Sequence, residues 1–591
     1  MIRVADWIAK FYADAGIDTV FMVTGGGAMH LNDAFAREKR LKIVYCHHEQ
    51  AAAIAAESYA RKNGKPAILN VTSGPGGLNA LTGVHGAFTD SIPLIVISGQ
   101  VKRETIASLV APELRQLGDQ EAPISEIVRP IVKESALIDD VSKVVPWIEN
   151  SFAIATGGRP GPVWYDIPLD VQSAVDSLPR KNSAMHTQTD YPKISKVKIN
   201  EFLRMLNASE RPIIFLGNGA RVSNCLDDLY QFISAIKLPV LTGWNAHDII
   251  PNNHPFYVGR PGTVGDRAGN INLQRADLVI VLGSRLNIRQ ISYNYENFAK
   301  NAKIIMVDID KQELQKPTLN IDLPIHSDLG SFLRNILSRK LVIEKLEKKK
   351  EFLDSCRKIQ KELLDYDVYS SDSGQINPYN FLRDVTDAAD PGTTFVCGNG
   401  AACVMTFQVA KIKDGTRLYT NSGCASMGYD LPAAVGAAIN GDKVVCFAGD
   451  GSLMMNIQEL QTLKTQNCDV KLFIINNGGY LSIKQTQNNF FNDNLHGTAA
   501  DNGVEFPNFM ALGKAFGLKC TQIAKHYSIG SIKSILARTG PELIEVVVDP
   551  DQFFAPKLSA RILEDGSMKS PSLEDMSPFM EQQKLKGYMN L

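Results

Sequence analysis

Residues 443–480 read KVVCFAGDGSLMMNIQELQTLKTQNCDVKLFIINNGGY. The apolar run from Val444 to Ala448 predicts a strand that stops at Gly449-Asp450-Gly451. Asn456, Leu460 and Leu463 follow at helical spacing. Val470 to Ile475 predicts a second strand that delivers Asn476 and Asn477. In a parallel β-α-β unit both strands end at the same edge of the sheet, so the Asp450 carboxylate and the Asn477 amide oxygen face one cleft. Oxygen donors of this kind suit Mg²⁺ holding a diphosphate. Gly449 and Gly451 let backbone N–H groups approach the phosphates.

The rest of the chain supplies a matching frame. With 591 residues it is long enough for about three domains. Strand patterns TVFMV, KIVYC, PAILNV and LIVISGQ alternate with helical ones in a first unit, 1–175. PIIFLG, LVIVLGS and KIIMVDID do so in a central unit, 190–342. The third unit, 365–555, carries the Gly-Asp-Gly site, and a tail spans 556–591. The expected class is α/β, three doubly wound domains with mainly parallel sheets. A polar stretch at 173–198 reads as a linker, and the charged segment 339–364 as a solvated connecting helix. The tail has little periodicity and is left open, to fold over the site or to pack on a neighbour.

A net charge of −1 argues against a nucleic-acid or membrane-surface role. No apolar run is long enough to span a bilayer. The N-terminus reads as an amphipathic helix rather than a signal peptide. Most of the nine cysteines, among them Cys397, Cys446 and Cys468, lie in or beside apolar segments. They read as reduced core thiols of a cytoplasmic protein.

Several long segments share one family's order: 47–61 (HHEQAAAIAAESYAR), 72–101 (TSGPGGLNALTGVHGAFTDSIPLIVISGQV), 158–168 (GRPGPVWYDIP) and 427–439 (MGYDLPAAVGAAI). Together with Gly-Asp-Gly and Asn-Asn, the chain resembles the acetohydroxyacid (acetolactate) synthase branch of thiamine-diphosphate enzymes over nearly its whole length except the tail. The resemblance implies a first domain that binds the aminopyrimidine and a third that binds the diphosphate. It places the two in different subunits, hence a homodimer or homotetramer. Glu49 is then the carboxylate that contacts the pyrimidine nitrogen, and Met427 the apolar wedge that bends the cofactor. Asp450, Asn477 and the Gly479 carbonyl hold Mg²⁺. Ser73, Asn79, Asn399, Gly400, Ser452 and Tyr480 line the cofactor. Gly25 and Gly26 cover the thiazolium, and Gln120 and Lys133 face the substrate. FAD is expected in the central domain on Arg159, Gly217, Gly219, Arg285 and Asp308, with 259–270 as a further Gly-rich loop. That flavin is structural, since decarboxylation and ligation move no net electrons.

The chain departs from its branch on the acceptor side. The family's Trp after Asn-Asn corresponds to Thr486, and of the family's Asp-Arg pair only Arg289 remains, behind Ile288. Asp119 replaces an aromatic residue. Losing an indole opens room. No adjacent His pair follows the first-domain SGQ segment, which argues for ligation over aldehyde release. The reading is a carboligase that decarboxylates a 2-oxo acid, pyruvate above all. It passes the two-carbon unit to a larger ketone such as a 4-keto nucleotide sugar. Ordinary acetolactate formation, a flavin-linked oxidase and a non-catalytic paralogue are the alternatives.

Overall fold

A computed structural model of the chain describes residues 1–179, 191, 193–339, 342–364, 374–491, 493–562 and 568–591. The middle of the 173–198 linker reading, 180–190 and 192, lies outside them. The first unit holds six parallel strands: β1 (Thr19–Met22), β2 (Lys42–Tyr45), β3 (Ala67–Val71), β4 (Leu94–Gln100), β5 (Glu134–Leu137) and β6 (Pro162–Pro168). Their order is β2-β1-β3-β4-β6-β5. The central unit has β7 (Pro212–Leu216), β8 (Val240–Thr242), β9 (Leu278–Leu282), β10 (Lys303–Asp308) and β11 (Leu323–His326), in the order β8-β7-β9-β10-β11. The third has β12 (Thr394–Cys397), β13 (Arg417–Tyr419), β14 (Val444–Gly449), β15 (Val470–Asn476), β16 (Lys519–Ile523) and β17 (Glu542–Val547), in the order β13-β12-β14-β15-β17-β16. The central strands of all three sheets are near-continuous apolar runs, as helices on both faces require.

The three units wind alike. In each, the second strand lies on one side of the first and the third strand on the other. The crevice where the winding reverses therefore opens between the first and third strands, at their C-terminal ends. Every crevice is lined by a glycine loop: 25–27 after β1, 217–219 after β7 and 398–400 after β12.

First and third units share one core. Its centre is helix α1 (Glu49–Asn63) lying against helix α2 (Asp430–Ala438). Both helices are lined by small buried residues, Ala51, Ala52, Ala55 and Ala56 on α1 and Ala433, Ala434, Gly436 and Ala437 on α2. Small side chains let the backbones approach closely. An ideal Cβ on Gly436 would sit 2.0 Å from the Ala55 carbonyl oxygen. Ala55 faces Gly436 while Ser58, one turn further on, bonds the Ala433 carbonyl one turn further back, so the two helices cross. At their N-terminal ends the Asn456 amide bridges Gln50 and Gly428, and beyond their C-terminal ends Lys62 pairs with Asp442. Gly64, at φ 70°, stops α1.

One expectation is corrected. Helix Leu346–Leu363 is not simply solvated: Phe352, Leu353, Cys356, Ile359 and Leu363 form a buried stripe. The tail packs on that helix and on the central unit, where Met580, Leu585 and Tyr588 join Ile271, Ile359 and Leu363. Glu574 accepts from Gln274 nearby. No helix among the described residues is long and apolar enough to cross a membrane.

The α1–α2 contact predicts a stability difference. Gly436→Val should cost about 1–3 kcal/mol by overpacking. Gly587→Ala, whose added Cβ meets nothing within 4 Å, should be neutral or slightly stabilising. Urea unfolding followed by circular dichroism checks both; an unchanged Gly436→Val midpoint would refute the close-approach account.

Candidate active site

The third-unit crevice builds a cation and phosphate site from the backbone outward. Asp450 opens the short helix Asp450–Met454 directly after β14 and is buried. Its Oδ1 accepts the Gly451 N–H at 2.7 Å. Its Oδ2 and the Asn477 Oδ1 accept the same Gly479 N–H, at 3.1 and 3.2 Å. Two oxygens converging on one donor leave acceptor capacity unspent at one point, which fits a hard cation. Burial pushes the Asp450 carboxyl up to about 6, and a divalent ion beside it would reverse that shift. Asn476 turns the other way, donating to Glu545 at 2.8 Å, so the second asparagine of the pair faces the cleft. The Gly479 carbonyl already accepts the Leu481 N–H at 3.1 Å and keeps one lone pair.

Opposite Asp450, Asn399 and Gly400 precede helix α3 (Ala401–Val409), whose N-cap has no side-chain hydrogen bond. Its first N–H groups are free to meet phosphate oxygens. The Tyr480 ring packs on Gly451, where an added Cβ would lie 2.1 Å from the ring edge. Ser452 differs from expectation. Its hydroxyl donates to Asp430 at 2.5 Å and accepts the Gly428 N–H at 2.9 Å, so its backbone N–H is what remains for a diphosphate. Asp430, buried and pushed up to about 6 by desolvation, thereby fixes the turn that carries half-exposed Met427. The sequence signal for Asp430 was a charged residue inside an apolar helix start.

The first-unit crevice gathers the pyrimidine set. Glu49 is the first residue of α1, just past β2, and accepts from the Asn79 amide at 3.0 Å. Gly25 and Gly27 press on Thr72 and Ser73, where added Cβ atoms would meet side chains at 2.5 and 2.4 Å, while Gly26 faces open space. Gly74 backs onto the carbonyl of Gln120, an exposed residue in the left-handed region at φ 62°. The Asn456 Nδ2 joins the two crevices. It donates to Gln50, beside Glu49, at 3.1 Å and to the Gly428 carbonyl, beside Met427, at 2.8 Å.

A cavity of about 1160 Å³, counting its open mouth, lies at the central crevice and touches all three units. Arg159, Gly217, Gly219, Arg285 and Asp308 all line it. Its wall holds buried polar atoms without partners: Trp244 Nε1, Asn245 Oδ1, Asn287 Oδ1 and both amide atoms of Gln290. Burial pushes the Asp308 carboxyl up to about 6. Two details differ from expectation. Gly217 and Gly219 are required by the loop they touch, since Cβ atoms there would lie 2.2 and 2.7 Å from Gly283. The Gly-rich loop 259–270 does not line the cavity. Arg260 instead donates to the Phe407 and Ala410 carbonyls of the third unit, at 2.9 and 2.8 Å.

The acceptor residues do not cluster. Lys133 precedes β5, at the sheet edge opposite the Glu49 cleft. Its ammonium donates to the Ile154 and Gly157 carbonyls, capping helix Val141–Thr156, and burial lowers its pKa to about 8. Within one chain it caps the end of that helix. The Arg289 guanidinium lies 4.8 Å from the Trp244 ring centroid, and Trp244 stacks on Phe407 of α3 at 4.6 Å. Thr486 is exposed on helix α4 (Leu481–Phe490), between exposed Ile483 and Phe490 on the same face.

Residues 2–122 match the N-terminal thiamine pyrophosphate (TPP) binding domain of thiamine pyrophosphate enzymes, 199–336 their central domain and 398–546 their C-terminal TPP binding domain. The chain is 33% identical over 555 residues to the acetolactate synthase isozyme 1 large subunit of Escherichia coli K12, covering 93% of this chain and 95% of that one. It is 30% identical to the acetolactate synthase large subunit of Lactococcus lactis, covering 93% of each. To the chloroplastic acetolactate synthase of Arabidopsis thaliana it is 29% identical, covering 94% of this chain and 82% of that one. The crevices, their oxygen donors and these matches agree: the chain belongs to the thiamine pyrophosphate enzyme family, in its acetolactate-synthase-like branch.

Proposed function

We propose that this enzyme decarboxylates pyruvate and joins the two-carbon unit to an acceptor carbonyl larger than a second pyruvate, a 4-keto nucleotide sugar or a comparable ketone. The observation that carries the acceptor reading is exposed Thr486 at the family's Trp position, with an open apolar face on either side. Acetolactate formation is the second reading, favoured by the names of the relatives.

Thiamine diphosphate supplies the electron sink for loss of CO₂. Asp450, Asn477 and the Gly479 carbonyl hold Mg²⁺, and the α3 N-terminus with Asn399 and Gly400 meets the diphosphate. Glu49, oriented by Asn79, holds a proton at the pyrimidine nitrogen. Met427 sets the bend of the cofactor. Gly26 leaves the approach to the thiazolium clear, and Gln120 meets the reacting group.

FAD fits the central cavity by its volume and by the unpaired polar atoms of its wall. Arg285 is the cation available to its diphosphate, since Arg159 already pairs with Asp310 and Glu313. Asp308, at a strand end, suits a ribose hydroxyl. A second copy of the chain completes the assembly. Met29, Tyr45, Leu78, Leu109, Val110, Leu114 and Leu117 near the first crevice are each more than 40% exposed, as are Met455, Ile483, Phe490 and Phe491 near the third.

Purified protein with thiamine diphosphate, Mg²⁺ and pyruvate should release CO₂ slowly, give little acetolactate by mass, and accelerate when a keto sugar is added. Efficient acetolactate from pyruvate alone would make the second reading correct, and oxygen uptake would indicate an oxidase. Glu49→Gln should lose at least about 100-fold in turnover while still binding cofactor. Thr486→Trp should shift product toward acetolactate by reducing acceptor room; an unchanged product ratio would remove Thr486 from the specificity argument.

A further inference from the structure

Asn245 stands where the three units meet. It lies in the short turn after β8, on the wall of the central cavity. Its Oδ1 is buried and has no partner. Its Nδ2 is shared between two acceptors, Asp90 Oδ2 of the first unit and the Thr420 carbonyl of the third, both at 3.2 Å. The amide nitrogen carries two hydrogens, one for each acceptor, and both bonds sit at the long end of the ordinary range.

Each acceptor leads to a cofactor crevice. The Thr420 hydroxyl donates at 3.1 Å to the carbonyl of Gly398, which begins the 398–400 diphosphate loop. Asp90 accepts the Gly423 N–H at 2.9 Å, on the segment that runs to Met427, and the Arg61 guanidinium at 2.8 Å. Arg61 also pairs with Glu57, and Glu57 accepts from the Tyr429 hydroxyl at 2.8 Å. Arg61, Glu57 and Tyr429 are all buried. Arg61 and Glu57 lie on α1, whose first residue is Glu49, and Tyr429 lies two residues past Met427. A continuous set of polar contacts thus runs from one unpaired oxygen in the central cavity to both ends of the catalytic crevice pair.

We propose that Asn245 is a positioning residue that couples the central cavity to the thiamine-diphosphate site. A ligand donor on Oδ1 fixes the plane of the amide and with it the two Nδ2 bonds. The diphosphate loop and the Met427 turn are then held in their binding arrangement. Central ligand and thiamine diphosphate therefore raise each other's affinity by the same factor, as linkage requires. This gives a redox-silent flavin a physical task. The inference rests on the reading that FAD occupies this cavity.

The test titrates full-length protein with thiamine diphosphate and Mg²⁺ by calorimetry, with and without saturating FAD, and titrates FAD with and without thiamine diphosphate. The expected result is that each cofactor tightens the other by about tenfold, within the usual range for coupled sites. Asn245→Ala should bring that factor below about twofold, whatever it does to either affinity alone. Tyr429→Phe, which removes the Glu57 contact far from the cavity, should lower the factor while leaving FAD affinity in the absence of thiamine diphosphate unchanged. FAD that binds with a factor of one, or full coupling in Asn245→Ala, would overturn the inference alone. No FAD binding at all would overturn the flavin reading together with it.

Discussion

The close packing of α1 on α2 is the contact on which the rest of this structure depends. Alanine and glycine faces bring the two helices together with the Ala55 carbonyl against Gly436. Each helix begins at the C-terminal edge of its own sheet, and the edges carry the chemistry: Glu49 on one side, Met427 and Asp450 on the other. The Asn456 amide ties the two edges of one chain together, bonded to Gln50 beside Glu49 and to the Gly428 carbonyl beside Met427. A buried polar layer fixes the register, since Ser58 donates to the Ala433 carbonyl at 2.7 Å and Tyr429 to Glu57. Bulkier faces would keep these hydrogen bonds out of reach.

Threefold use of one winding explains why function collects at three crevices. The β-strand ends of each unit expose backbone N–H groups and short polar side chains where the winding reverses. The first crevice suits a neutral ring, the third a diphosphate and a cation, and the central one a longer polar ligand. These differences come from the loops: a lone carboxylate at Glu49, paired oxygens at Asp450 and Asn477, and unpaired amides at Asn245 and Gln290. Asp90 stands between all three, bonded to Arg61, Asn245 and Gly423.

Much of this was legible in the sequence. Apolar runs ending in glycine loops gave the strands and their C-terminal edges, and the Gly-Asp-Gly to Asn-Asn spacing placed two oxygens at one cleft. What stayed hidden depends on contacts between distant segments. The sequence around Lys133 does not show that its ammonium reaches the Ile154 and Gly157 carbonyls. The glycines at 217 and 219 mark a close approach in sequence, but not whether a cofactor or the neighbouring Gly283 loop makes it. Loop 259–270 looks like a ligand loop, yet its arginines serve third-unit and tail carbonyls. Asn245 carries no local pattern, because its partners Asp90 and Thr420 lie in the other two units.

A structure with thiamine diphosphate and Mg²⁺ bound tests the account most directly. It should show the ion on Asp450, Asn477 and the Gly479 carbonyl, with a Glu49 carboxylate about 3 Å from the pyrimidine ring nitrogen. A diphosphate seated in the central cavity, or a pyrimidine ring out of reach of every Glu49, would contradict it.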